Sequence, residues 1–263
     1  MIIGSLSENT DLEKRIAITP EIIKKYISAG LEVYLSKNYA QHLGIDDKEF
    51  ETQGAKICLT EDEVITSSDA IIQMNILSEN NLKKLKKEQI LIGVLNPYMN
   101  ELKLAELTNK SINCFSLELL PRITRAQTMD VLSSQANLAG YKAVVDSFAF
   151  FQKAVPMMMT AAGTISAAKV LVVGAGVAGL QAIATAKRMG AIVFATDVRL
   201  ASKEQVESLG GKFLVVEGAE NLETEGGYAK ETSDDFKQKQ EELLKETLKK
   251  IDIIICTALI PGK

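Results

Sequence analysis

The chain has 263 residues, 46% apolar and 24% charged, with 30 basic and 34 acidic side chains and a net charge of −4. That apolar content excludes wholesale disorder, and the acidic balance argues against the basic stripe of a nucleic-acid binder, so no nucleic acid is expected among its partners. Three scattered cysteines without a CxxC pair, and a single histidine, His42, argue against a zinc site, a disulfide framework and a His general base; no metal is expected.

Short apolar runs alternate with amphipathic ones along the whole chain, the pattern of an α/β protein with parallel sheets. The opening MIIGSLSENTDLEKR lacks the apolar core of a signal peptide. Strands are expected at 2–6, 31–35, 69–74, 90–95 and 112–117, with helices at 20–30 and 100–109. Pro20 opens the first of these helices and Gly30 ends it. Pro121 breaks the pattern, and a loop at 121–128 precedes a helix running to about residue 153, with Val131, Leu132, Leu138, Tyr141, Val144, Val145 and Phe148 at helical spacing. Strands follow at 169–173, 192–196, 213–216 and 251–256, and helices at 177–189, 203–209 and 235–250. Residues 217–234 read as a loop. The expected organisation is an N-terminal α/β domain over 1–134, a connecting helix within 135–160 and a dinucleotide-binding domain over 161–263, both domains being Rossmann-like, doubly wound parallel sheets. Residues 170–186 are the most apolar stretch. They fall short of the ~20 residues a membrane span needs, and a buried strand, turn and helix explain them.

That stretch holds the sharpest motif, Gly174-Ala175-Gly176-Val177-Ala178-Gly179. It follows the strand VLVV and opens a helix, and the next strand ends in Asp197, 18 residues past Gly179. This is the context a dinucleotide fingerprint requires. Gly174 serves the tight turn, Gly176 the approach of a pyrophosphate and Gly179 the close packing of helix on strand. The Val177 amide at the helix start points at phosphate. Asp197 accepts both ribose hydroxyls and repels a 2′-phosphate, favouring NAD(H), although Arg199 is a group that can receive a phosphate. A second group is Arg122, Arg125, Gln127, Asp130 and Ser133. If helical, Asp130 and Ser133 share a face and can hold a ribose; a helix start capped by Thr128, with Asp130 favoured by the helix dipole, explains them as well. Gly227 and Tyr228 sit in the long loop. The run Met157–Met159 reads as packing, and His42 as a surface or capping residue in a turn.

The runs PRITRAQTMDVLSSQANLAGYKAV, MTAAGTISAAKVLVVGAGVAGLQAIATAKRMGA, ATDVR, KEQVESLGGKF, GGYAKE and TALIPGK resemble the NAD(H)-binding component of the proton-translocating NAD(P) transhydrogenases. RIAITP, from Arg15, is shared more loosely with the related alanine dehydrogenases. The resemblance implies that Arg122, Asp130 and Ser133 hold the nicotinamide and its ribose, and that Gln127 reaches toward a second nucleotide. It implies that Gly174, Gly176, Val177, Gly179 and Asp197, with Val198 and Arg199 of ATDVR, form the dinucleotide site. It also implies that a mobile loop carrying Gly227 and Tyr228 closes over NAD(H), and that Ala258 and Leu259 lie near the nicotinamide. Hydride would pass from NADH to NADP⁺ on a separate NADP(H)-binding component, with Arg122, Gln127 and Asp130 the catalytic set. A membrane proton-channel component would couple this to proton translocation. The chain is then expected to be a homodimer in the cytoplasm, held peripherally at the inner membrane by its partners, and its second domain to be incomplete at the C-terminal end.

Two other readings are weighed. An alanine-dehydrogenase-like oxidoreductase needs a Lys after the strand at 69–74 and a His after the strand at 90–95; this chain has Gln73-Met74-Asn75 and Asn96-Pro97-Tyr98 there. A non-catalytic NAD-binding module is the other.

Overall fold

The computed structural model describes residues 1–121, 123–215 and 234–258, without the side chains of 234–237. The chain divides into two compact units, Met1–Asp130 and Val131–Lys263. Both are α/β units with parallel sheets.

In the first unit six strands, β1 (Ile2–Ser5), β2 (Glu32–Ser36), β3 (Lys56–Cys58), β4 (Ala70–Asn75), β5 (Ile90–Val94) and β6 (Asn113–Ser116), form one sheet in the order β3-β2-β1-β4-β5-β6. Every pairing is parallel. This is a doubly wound order, reversing between β1 and β4. The helices are α1 (Pro20–Ser28), α2 (Asp47–Thr52), α3 (Glu61–Ser67), α4 (Glu79–Lys84) and α5 (Glu101–Asn109). Their starts follow local chemistry. Pro20 occupies the first turn of α1. The Glu49 carboxylate accepts the Asp46 N–H ahead of α2 (3.3 Å), and the Thr60 hydroxyl accepts the Glu63 N–H at the start of α3 (3.2 Å). Apolar side chains from both faces of the sheet fill two cores, one around Leu35, Tyr39 and Phe50 and one around Ile71, Leu91 and Leu107.

The second unit starts with α6 (Val131–Phe150) and a hairpin of β7 (Met158–Thr160) and β8 (Gly163–Ile165). Then come β9 (Lys169–Val173), α7 (Val177–Arg188), β10 (Ile192–Thr196), α8 (Ser202–Ser208), β11 (Lys212–Phe213), α9 (Asp234–Leu248) and β12 (Ile253–Cys256). Its main sheet is parallel, in the order β11-β10-β9-β12. Val170, Leu171 and Val172 of β9 are fully buried, as expected of a central parallel strand covered on both faces.

The chain divides at 130/131, and the whole of α6 lies in the second unit, where it packs on α7. Gly140 permits this packing. A Cβ there would stand 2.1 Å from the Ala178 carbonyl oxygen. Other differences from the sequence reading are local. α2, β3, α3 and α4 are three to seven residues long, too short to show a periodicity. The loop expected at 121–128 contains a 3-10 helix, Thr124–Met129. The methionine run, expected to pack, lies at the hairpin with Met157 60%, Met158 46% and Met159 73% exposed. Among the described residues no helix is long and apolar enough to cross a membrane.

Candidate functional site

The expected residues that gather within one unit are those of the second unit's Gly-rich turn. β9 ends at Val173 and Gly174 turns the chain with φ +95°, a backbone region glycine enters without strain. A Cβ on Gly174 would stand 2.8 Å from the Ala258 nitrogen, and one on Gly179 would stand 1.9 Å from the Gly174 carbonyl oxygen. Both glycines are therefore required by close backbone approach. At Gly176 the situation differs: an added Cβ would meet nothing nearer than the Arg199 guanidinium, whose Nη2 is 4.0 Å away. The turn therefore has room above Gly176 that only a long, exposed-ended side chain enters.

Gly176 is the N-cap of α7, with no side-chain cap, so the amides of Val177, Ala178 and Gly179 start a twelve-residue helix whose positive end faces this room. Val177 is 44% exposed. β12 closes the other side of the turn. The Thr257 hydroxyl donates to the Gly174 carbonyl (2.9 Å), and the Thr257 N–H donates to Val173 (2.8 Å), which brings Ala258 against Gly174. Thr257 holds the turn in shape, yet nothing in the spacing of TALIPGK singles it out.

Asp197 follows β10 and its side chain is only 7% exposed. Its Oδ2 accepts the Ala175 N–H (2.7 Å) and Arg199 Nη2 (2.9 Å), and its Oδ1 accepts the Arg199 N–H (2.8 Å) and Nε (2.9 Å). Burial pushes the carboxyl pKa up, but the Arg199 guanidinium and the backbone donors together hold it below its ordinary value, so the group is a carboxylate at neutral pH. Val198 lies half-buried between Asp197 and Arg199. The cradle over Gly176, the uncapped helix start and the buried carboxylate fit a dinucleotide: phosphate at the α7 amides, ribose at Asp197.

The other expected residues lie elsewhere. Gln127 is exposed in the 3-10 helix of the first unit. Asp130 ends that unit with φ −73° and ψ 85°, so it is not helical; it directly precedes α6, whose third residue is Ser133. Arg122, Gly227, Tyr228 and Leu259 lie outside the described residues. His42 is exposed in a 3-10 turn and donates to the Lys14 carbonyl (2.8 Å).

The first unit has its own crevice where its strand order reverses, at the carboxyl ends of β1 and β4. Polar side chains fill it. Buried Gln73 donates to the Leu6 carbonyl (2.8 Å) and accepts the Leu6 N–H (3.1 Å). Glu8 accepts the Met74 N–H (2.7 Å). Arg15 is paired with Glu13, with Nε 2.8 Å from Oε1. Burial, working against the hydrogen bonds from Met74 and Asn75, raises the Glu8 carboxyl above its ordinary value, whereas the bonds from Arg15 hold Glu13 at about 2. Arg15 thus faces a carboxylate of its own chain. Among the described residues no group of three or more His, Cys, Asp or Glu side chains is placed to hold a metal ion.

Comparisons with known proteins agree over the whole chain. Residues 4–139 match the family described as "Alanine dehydrogenase/PNT, N-terminal domain" and residues 143–263 match its C-terminal domain. The first of the separate chains that make up NAD(P) transhydrogenase subunit alpha in Rickettsia prowazekii is 48% identical over 100% of this chain and 70% of its own length. The protein of the same name from Rhodospirillum rubrum is also 48% identical, over 95% of this chain and 67% of its length. The solved structure of a transhydrogenase from Sinorhizobium meliloti superposes with a TM-score of 0.86 at 41% identity, covering 100% of this chain and 71% of that one.

Proposed function

Since this chain belongs to the alanine dehydrogenase/PNT family, we propose that it is the NAD(H)-binding component of a transhydrogenase, which passes hydride from NADH to NADP⁺ on a partner component. Other subunits, including a membrane proton-channel component, couple that transfer to proton translocation, and hold this chain peripherally at the cytoplasmic side of the inner membrane. The observation that carries the reading is the Gly174–Gly179 turn with its uncapped helix start and the buried Asp197 carboxylate. The relatives named as transhydrogenase alpha-subunit proteins support it.

The nicotinamide rings supply the redox chemistry, because a hydride moves directly from one ring to the other and no proton is exchanged with the protein. The residues of this chain therefore bind and orient. The α7 amides hold the pyrophosphate, and Asp197 holds the adenosine ribose. Arg122, Asp130 and Ser133 hold the nicotinamide and its ribose, Gln127 reaches the partner's nucleotide, Gly227 and Tyr228 cover the bound dinucleotide, and Ala258 and Leu259 border the nicotinamide. Such work needs no imidazole base, in keeping with a sole histidine tied to a surface carbonyl.

A homodimer is part of the proposal. The β7–β8 hairpin is exposed at every residue, although an isolated two-stranded hairpin is marginal in water. Leu138 and Tyr141 leave an apolar face on α6 as well. A second copy covering the same patch by two-fold symmetry accounts for both.

An amino-acid dehydrogenase needs a proton acceptor and a free carboxylate binder. In the first unit's crevice Gln73 is bonded to backbone and Arg15 to Glu13, which favours the transhydrogenase reading. The test is to mix this chain with an NADP(H)-binding component and follow hydride exchange between NADH and an NADP⁺ analogue. Exchange is expected. NADH binding without exchange would leave a non-catalytic binding module, and NAD⁺ reduction by L-alanine would favour the dehydrogenase.

A further inference from the structure

The four hydrogen bonds at Asp197 divide into two kinds. Two come from backbone amides, Ala175 on Oδ2 and Arg199 on Oδ1, and these are fixed by the turn. Two come from the Arg199 side chain, Nη2 on Oδ2 and Nε on Oδ1. A carboxylate offers about four acceptor positions, two on each oxygen, so the protein itself fills them all. A ribose diol has two hydroxyl donors. It can reach this carboxylate only by taking one position on each oxygen, and the two positions that can be given up are those of the guanidinium. The same guanidinium lies over Gly176, in the room a dinucleotide would enter. Arg199 is already 20% exposed, so its displaced head regains water.

We propose that Arg199 is an exchangeable counter-ion for Asp197: its guanidinium stands in for the adenosine ribose and leaves, two N–H bonds for two O–H bonds, when NAD(H) binds. The proposal rests on the nucleotide-site reading above and deepens it. It makes Arg199 a positioning residue that keeps the buried carboxylate aligned, and a competitor that lowers the affinity for the dinucleotide. It also bears on selectivity. An NADP(H) ribose, with a phosphate in place of its 2′-hydroxyl, has only one donor and cannot complete the exchange, and a guanidinium released beside it would attract its phosphate. Removing Arg199 therefore acts in opposite directions on the two nucleotides.

The experiment is titration of the full chain with NADH and, separately, NADPH, read by nucleotide fluorescence, for wild type, Arg199→Met and Arg199→Lys. A partly exposed ion pair contributes modestly, so NADH is expected to bind Arg199→Met about two- to fivefold more tightly than wild type, while NADPH binds no more tightly. Arg199→Lys keeps the charge but fills one carboxylate oxygen instead of two, and should fall between. Weaker or unchanged NADH binding by Arg199→Met overturns the exchange, as does equal tightening of both nucleotides. A loss of structure would weaken both nucleotides, and Arg199→Lys, with charge retained, then decides: NADH binding no tighter than wild type overturns the proposal. If wild type itself binds no NADH, the nucleotide-site reading fails first.

Discussion

Replacing Gly140 with alanine tests how α6 is seated on α7. A Cβ at this position would stand 2.1 Å from the Ala178 carbonyl oxygen, 2.8 Å from its carbon and 3.0 Å from its Cα. All three are backbone atoms at the start of α7, so no side chain can rotate to make room. The helices must separate by about 1 Å, with loss of dispersion contacts along the seam. Overpacking of this kind costs about 3 kcal/mol at the upper end of its usual range. Alanine recovers ~1 kcal/mol of helix propensity relative to glycine, leaving a net loss of roughly 2 kcal/mol, or a fall in Tm on the order of 5–10 °C for a unit of this size. Ala178 lies in the first turn of α7, so the same displacement moves the amides offered to phosphate and should weaken NADH binding together with stability. Thermal unfolding followed by circular dichroism, paired with an NADH titration, reads both effects, and Asn137→Ala on the exposed side of α6 serves as a control expected to be neutral or slightly stabilising. A Gly140→Ala protein that gains about 1 kcal/mol, as an exposed helical glycine would, refutes the close approach.

Asp197→Asn should cost about 1–3 kcal/mol in NADH binding, the usual worth of hydrogen bonds to a charged group; unaltered affinity in a fluorescence titration would count against the ribose assignment. Gln127→Asn should leave NADH affinity nearly intact and slow hydride exchange with the NADP(H) component, and equal damage to both would mean that Gln127 does not serve the second nucleotide. Bonds from Arg15 hold the Glu13 carboxyl at about 2, below its ordinary 4.5. The folded state thus takes up this proton less readily than the unfolded chain, so the contribution to stability is full above pH 4.5 and is lost as pH falls toward 2. Glu13→Gln should flatten that part of an acid-unfolding curve; an unchanged curve would show that the pair does not contribute.

Elements whose signal is long or doubly marked can be read from the sequence. β9, α7 and β10 carry an unbroken apolar run, a helical period and a glycine fingerprint, and their observed limits lie within a residue of the expected ones. α2 and α3 are legible only through their caps, at Asp46 and Thr60, because a helix of six or seven residues is too short to establish a period. The hairpin after α6 is harder still. Its methionines look like core residues, and only the folded chain leaves them in solvent.

The residues by themselves specify alternating strands and helices, the Gly174–Gly179 turn and an acidic residue at the tip of the next strand, since each depends on neighbours a few positions away. Pairings between distant segments come only from the tertiary structure. It seats α6 on α7 through Gly140, brings Thr257 beneath Gly174, and fills every acceptor position of Asp197 with donors from Ala175 and Arg199. Close backbone contact and hydrogen-bond saturation are properties of positions in space, and a linear pattern names the groups without stating which of them are already bonded.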